Sequence, residues 1–325
     1  MNILDPYSLL TTTSVSQHLQ LIAVFLFATY GKELGFAQSS RSSCVLLVPV
    51  VLYNYTICQE SSPDSQSVRN TFCYVFTEVS LKKGSNEIAS ALYHCLQNTD
   101  LVDIHSIHLF ADGCGGQNKN KNLIGMVSKR FKVLLVFPVV GHSFIPLDCV
   151  FRKIERALKK MPKSVDPIEY TSVISKFGSV IHLGDDCSVY DWKSAVDDVL
   201  NPQTSWHFQF QKSKRIILTC SNDGSVVVQG EPNFMIEVGQ RKSIVKRGKR
   251  LTRLKLTNIA KGIQLGGPKL VDVCRLLTTH FGDQWESVER LRYYKTVLQA
   301  NEEATAVEDN DTDFDVLPDD DAIQI

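Results

Sequence analysis

The chain has 325 residues, of which 43% are hydrophobic and 22% charged. That composition excludes a disordered, fibrous or collagen-like chain and supplies core for one large domain or two ordinary ones. Lys plus Arg and Asp plus Glu number 35 each, so net charge selects no class of partner.

The apolar run Leu21–Thr29 (LIAVFLFAT) comes first. It is far shorter than the roughly 20 residues that span a bilayer, and no Lys or Arg precedes it as in a secretory signal. No membrane is therefore expected as a partner, and residues 1–43 read as a buried helix or a poorly specified leader. Residues 44–58, CVLLVPVVLYNYTIC, are β-branched and aromatic and predict a strand interrupted at Pro49. ESSPDSQS is a loop, and TFCYVFTEVS alternates like a second strand. GSNEIASALYHCLQN predicts a helix, with Ser85 or Asn86 as N-cap and Ile88, Ala89, Leu92, Cys95 and Leu96 at helical spacing.

IHSIHLFA is a buried strand ending at Asp112, and NKNLIGMVSKRF a helix. KVLLVFPVVG is a further strand, and PLDCVFRKIERALKKM a strong helix with Pro146 in its first turn and Val150, Phe151, Ile154 and Leu158 inward. Later signals are a short helix in DPIEYTSVISKFG and a hairpin in RIILTCSNDGSVVVQG turning at Asn222-Asp223-Gly224. GPKLVDVCRLLTTHF and WESVERLRYYKTVLQ predict two amphipathic helices. Two hairpin-like strands followed by strand–helix alternation predict an α/β fold, a mixed sheet with helices packed on it.

Charge is distributed unevenly. Residues 241–255, RKSIVKRGKRLTRLK, carry eight basic side chains and no acid, while residues 302–321 carry ten acids and no base. The first points to a polyanion, DNA or RNA, through Lys246, Arg247, Lys249 and Arg250 among others, or to a nuclear import signal in KRGKR. A merely solvated face is the plainer reading, and no aromatics interleave to form a base-stacking groove. The acidic end reads as a disordered tail. The nine cysteines contain no C-x-x-C pair. This pattern predicts a reduced, intracellular protein rather than a disulfide framework.

Ligands collect at the carboxyl ends of sheet strands, and Asp112 and His142 fall at two such ends. Asp148 opens the following helix, Glu155 lies two turns further along it, and Glu87 sits in the first turn of the earlier helix. Carboxylates converging there can hold Mg²⁺ or Mn²⁺, and two such ions can drive phosphodiester cleavage. Each has a structural alternative. Asp112 can accept N–H bonds of its glycine-rich turn, Asp148 and Glu87 can complement helix dipoles, and Glu155 can pair with Lys159. His142 can equally be a satisfied structural histidine, and Cys114 a small packing residue. In GQNKNKN, Gln117, Asn118 and Asn120 can cap the next helix, with Lys119 and Lys121 adding charge for a bound phosphate. The same turn can be no more than capped and solvated.

The string Asp112-Gly-Cys-Gly-Gly-Gln-Asn-Lys-Asn120, then Gly141-His-Ser-Phe-Ile-Pro-Leu-Asp148, then Phe151, resembles an uncharacterised family of transposon-derived animal proteins. That family shares a D-x-C-x-G-Q-N-K-N … G-H-[ST]-x-x-x-x-D-x-x-F signature. The resemblance covers about residues 52 to 160, and more loosely KLVDVCRLLTTHFGDQW. It implies a fold similar to the ribonuclease H-like core of transposases, with Asp112 and Asp148 as metal ligands and Glu87 as a third candidate catalytic residue. A ribonuclease H-like site carries a further aspartate on its first strand, whereas CVLLVPVV has no acid and Asp64 lies in the following loop. On this reading residues 44–200 are the ribonuclease H-like core, 201–300 a C-terminal hairpin and helical (α+β) extension, and 301–325 the tail. The function implied is a nucleic-acid-binding remnant with an incomplete metal site, or else an active divalent-metal nuclease. Oligomeric state is left open.

Overall fold

A computed structural model of the chain describes residues 50–59, 67–102, 104, 106–111, 113, 118–127, 132–138, 146–161, 166–220 and 225–311. The readings of Leu21–Thr29, of 44–49 and of the Asn222–Gly224 turn lie outside these residues. The described part is mixed α/β, with seven strands in two mixed sheets and seven α-helices. No helix among the described residues is long and apolar enough to cross a membrane.

Strand β1 (Leu52–Cys58) pairs antiparallel with β2 (Thr71–Thr77), Leu52 opposite Thr77 and Cys58 opposite Thr71. Helix α1 (Ser85–Gln97) follows, then β3 (Ser106–Phe110), α2 (Lys121–Val127), β4 (Lys132–Val136), α3 (Pro146–Leu158) and α4 (Pro167–Ile174). Two further elements, β5 (Ser179–His182) and α5 (Trp192–Val199), were not predicted. β5 has four residues, too few for a periodic signal, and it pairs parallel to β2. The hairpin strands β6 (Arg215–Cys220) and β7 (Val226–Glu231) complete the second sheet, in the order β3-β4-β6-β7. β3 and β4 are parallel, and β6 runs antiparallel to both β4 and β7.

The expected single sheet is thus two, β1-β2-β5 and β3-β4-β6-β7, yet both are covered by the same two layers. Strand residues alternate between faces. One face of each sheet joins a core of Tyr55, Ile57, Tyr74, Ile107, Leu109, Leu135, Ile216 and Val228, together with buried residues of α1, α2 and α5. The opposite faces share a second core of Cys58, Val75, Phe110 and Val136 under Leu147, Val150 and Ile154 of α3 and Ile174 of α4.

Helix starts follow local chemistry. Pro146 and Pro167 each open their helices, and Asp166 caps α4 by accepting the N–H of Ile168 at 2.8 Å. For α1 the N-cap is Gly84, not Ser85 or Asn86, because those side chains are engaged elsewhere. Asn86 accepts the N–H of Lys193 at 2.9 Å and Ser90 Oγ accepts the Trp192 indole N–H at 3.1 Å, so α1 fixes the start of α5. Gly125 of α2 is required by packing: a Cβ there would lie 2.5 Å from Val196 Cγ2 of α5.

The chain forms two compact units that divide at Gly262, and β6 and β7 belong to the sheet of β3 and β4. In the second unit α6 (Gly267–Phe281) is followed by two 3₁₀ turns at Trp285–Ser287 and Glu289–Leu291 and by α7 (Arg292–Asp311). The predicted helix in WESVERLRYYKTVLQ therefore starts seven residues late, at Arg292. It continues to Asp311. Asn301 ties this unit together: its Oδ1 accepts the N–H of Leu265 at 2.7 Å, and its Nδ2 donates to Val297 O at 2.7 Å.

Candidate functional site

The amide-rich turn and the first turn of α1 meet. Asn120 caps α2, its Oδ1 accepting the N–H groups of Asn122 and Leu123 at 3.0 Å each. Asn122 Nδ2 donates to Ser85 Oγ at 2.7 Å, which fastens the start of α2 to the start of α1. Asn118 is buried beside them. Glu87, on the same turn of α1, is only 4% exposed. Burial pushes its carboxyl up to about 7, against the backbone N–H groups of Glu87 and Gly84 and the charge of Lys82, which act to lower it.

The lysines of this turn are engaged within the protein. Lys119 Nζ donates to the carbonyls of Gln211 and Ser213 at 2.7 and 2.6 Å and lies 4.8 Å from the Phe137 ring centroid. Burial lowers its pKa. Lys121 forms an ion pair with Asp197 of α5.

Asp148 is half-buried in the first turn of α3, and Glu155 lies on the same helix. Their helix packs on the face of the sheets opposite to α1, so Glu87 and Asp148 belong to different layers. Asp112, Gln117 and His142 lie outside the described residues. Among the described residues no three His, Cys, Asp or Glu side chains are grouped to hold a metal ion. Burial favours the protonated form of the Glu87 carboxyl.

The basic segment is an ordered part of the first unit. Lys242 exchanges two backbone hydrogen bonds with Val228, covering the outer edge of β7. Asn201 N donates to Ile244 O and Lys246 N to Val199 O, each at 2.9 Å. The buried side chains of Ile244 and Leu251 pin the segment to the core. Between these anchors the chain turns at Gly248, whose φ of +79° is the left-handed conformation that glycine adopts freely.

Two of the cations are turned onto α5. Lys246 Nζ donates to Asp197 O at 2.7 Å, and Lys249 Nζ reaches both carboxylate oxygens of Asp198 at 2.8 Å. That contact, with the charges of Lys249, Lys246 and Lys255, holds the Asp198 carboxyl below its usual range. Arg247, Arg250 and Arg253 are exposed and have no ion-pair partner among the described residues.

Sequence reasoning took Ser85 only for an N-cap and missed Asn122, Asp197 and Asp198. A signal for the last two exists: Asp191 before WKSAVDDV is an N-cap that announces α5, and its side chain accepts the N–H of Ser194 at 3.1 Å.

Residues 64–225 match the family model described as "Domain of unknown function (DUF7869)", a span that runs from the loop before β2 to the start of the β7 region. No curated protein and no solved structure matches the chain.

Proposed function

We propose that the chain is a nucleic-acid-binding module of transposon descent, built on a ribonuclease H-like core whose metal site is incomplete. One observation carries the reading. Arg247, Arg250 and Arg253 project from an ordered, core-anchored segment with no anion to neutralise them among the described residues. An array of unpaired guanidinium groups on a fixed backbone suits phosphates, which arginine engages through two parallel N–H bonds. The same exposed cations suit a nuclear import receptor, and a nuclear location follows on this reading.

The descent rests on the resemblance of residues 52–160, and the family match adds only that a domain of unknown function covers much of the same span. The incompleteness rests on the sequence: CVLLVPVV lacks an acid. Were Mg²⁺ or Mn²⁺ bound, Asp112 and Asp148 would be its carboxylates, with His142 and Glu155 as supporting candidates, while Glu87 lies in the other helical layer.

The test is fluorescence anisotropy of the full chain with a short DNA duplex and with single-stranded RNA, from roughly 50 to 200 mM salt. Binding that weakens steeply with salt, and is lost in an Arg247→Ala, Arg250→Ala, Arg253→Ala triple variant, is expected. Salt-independent or absent binding overturns the proposal. Cleavage of either nucleic acid in Mn²⁺, abolished by Asp112→Asn or Asp148→Asn, would replace it with the enzyme reading.

A further inference from the structure

We infer that residues 203–212 form a base-stacking groove beside the basic segment, and that its ligand is an unpaired nucleic-acid strand. The inference rests on the nucleic-acid reading above and names its substrate class, single strands rather than duplex. In the sequence aromatics and cations stand apart, since 241–255 holds no aromatic residue. The fold brings them together. Asn201 N donates to Ile244 O at 2.9 Å, and Leu200 bridges antiparallel to Val245. Further along, His207 Nε2 lies 2.9 Å from Gln240 O and 3.1 Å from Val228 O. Both oxygens are carbonyls, which only accept, so Nε2 carries the proton and donates. Residues 201–207 therefore run antiparallel beside 240–244, where the basic segment begins.

Residues 203–212 line an open groove of about 650 Å³ that contains four aromatic rings. Two of them are structural. Trp206 and Phe210 are buried, edge to face with centroids 5.2 Å apart, and the Trp206 indole donates to Asn201 O at 3.1 Å. The other two, His207 and Phe208, are half-buried with centroids 5.0 Å apart. Phe208 stands 5.7 Å from Trp206 and rests on Gly230 of β7, where any Cβ would overlap its ring. Rings fixed in place before binding lose little freedom when a ligand stacks on them.

Charge and ring chemistry together select the occupant. Lys212 and Lys242 border the groove, are exposed, and pair with no carboxylate among the described residues. Neither 201–212 nor 238–255 contains an Asp or Glu, so both walls favour a polyanion. Arg247, Arg250 and Arg253 follow Lys242 on the same segment, which gives a strand leaving the groove further cations for its phosphates. The rings then separate one polyanion from another. Every base has a π-face, but in a duplex those faces are covered by neighbouring bases, and only an unpaired strand can lay them on protein aromatics.

The test is fluorescence anisotropy of the full chain with oligothymidylate and oligouridylate of about 16 nucleotides, and with a mixed-sequence duplex. A single strand is expected to bind more tightly than the duplex at equal salt, and either sugar satisfies the inference. Phe208→Leu keeps an apolar side chain and His207→Gln keeps an N–H donor, while both remove a ring. Together they should weaken strand binding about tenfold and leave duplex affinity unchanged. Lys212→Ala with Lys242→Ala disturbs no buried group and should lower the salt slope for strands by about 0.7 per lysine. This second variant decides alone where the ring variant does not fold. Strand and duplex affinities that fall together in the ring variant would give the rings a structural role only and overturn the inference. Strand binding indifferent to both variants, yet lost in the triple arginine variant, would overturn it and leave the nucleic-acid reading standing. Absence of binding to any nucleic acid would overturn both. A fluorescent proline-rich peptide bound instead, and lost in the ring variant, would assign the groove to a peptide and overturn the inference.

Discussion

The ammonium of Lys119 donates to the carbonyl of Ser213 at 2.6 Å, joining the amide-rich turn to the segment that leads into β6. The charge that the sequence offers to a phosphate is spent on two carbonyls and an aromatic face inside the protein. Lys119→Met keeps the volume but leaves the Gln211 and Ser213 carbonyls without their donor. Ser213 is buried whereas Gln211 is exposed, and a buried carbonyl so abandoned costs about 1–3 kcal/mol. A fall in unfolding free energy of about 1–3 kcal/mol in urea titration is expected, with nucleic-acid affinity at fixed salt unchanged.

Glu87 makes stability depend on pH. Its carboxyl titrates near 7 when folded, against 4.5 for an unperturbed glutamate. Between those values the folded state keeps a proton that the unfolded chain has released. The favourable contribution is therefore complete below about pH 4.5 and is lost as pH rises through about 7. The difference is on the order of 3 kcal/mol. Glu87→Gln stays neutral throughout, so its stability should overtake that of the parent across this interval in chemical denaturation at stepped pH.

Gly125 sets two effects against each other. Alanine in mid-helix favours α2 by up to about 1 kcal/mol. Its methyl, however, would stand 2.5 Å from Val196 Cγ2, a stiff β-branched side chain, and overpacking of this kind costs about 1–3 kcal/mol. Packing wins, and Gly125→Ala should lower the thermal midpoint by several degrees.

The arginines and lysines of the basic segment should separate in their salt dependence. Each of Arg247→Ala, Arg250→Ala and Arg253→Ala should lower the slope of log affinity against log salt by about 0.9. Lys249→Ala should change it less, because the Lys249 ammonium is already neutralised by Asp198. All four should leave stability within about 0.5 kcal/mol of the parent, as exposed charges generally do. Parallel anisotropy and denaturation series check both halves of this expectation.

Local order was legible where sequence signals are strong. The strands TFCYVFT and KVLLV and the helices at Ser85, Pro146 and Gly267 fall close to their predicted places, since period and proline placement fix them independently of context. The division into two sheets was not legible. Strand pairing is a tertiary choice, and the four-residue β5 has no pattern of its own. The candidate site shows the same limit. Asn120 as a helix cap follows from its position, but the engagement of Lys119, Lys121, Lys246 and Lys249 within the protein depends on carbonyls and carboxylates far along the chain. Charge in a sequence counts cations without telling which are already neutralised.

Cys58, Cys73, Cys95 and Cys187 are buried and free. Burial pushes their thiols up, Cys58 to about 12 and the others to about 11, so the nucleophilic thiolate is scarce at neutral pH. The three placed on β1, β2 and α1 pack along the first sheet, so they react only when that sheet opens. The interior thus carries its own clock: the rate at which a maleimide labels these sulfurs in the untouched protein measures how often the β1–β2 hairpin comes apart.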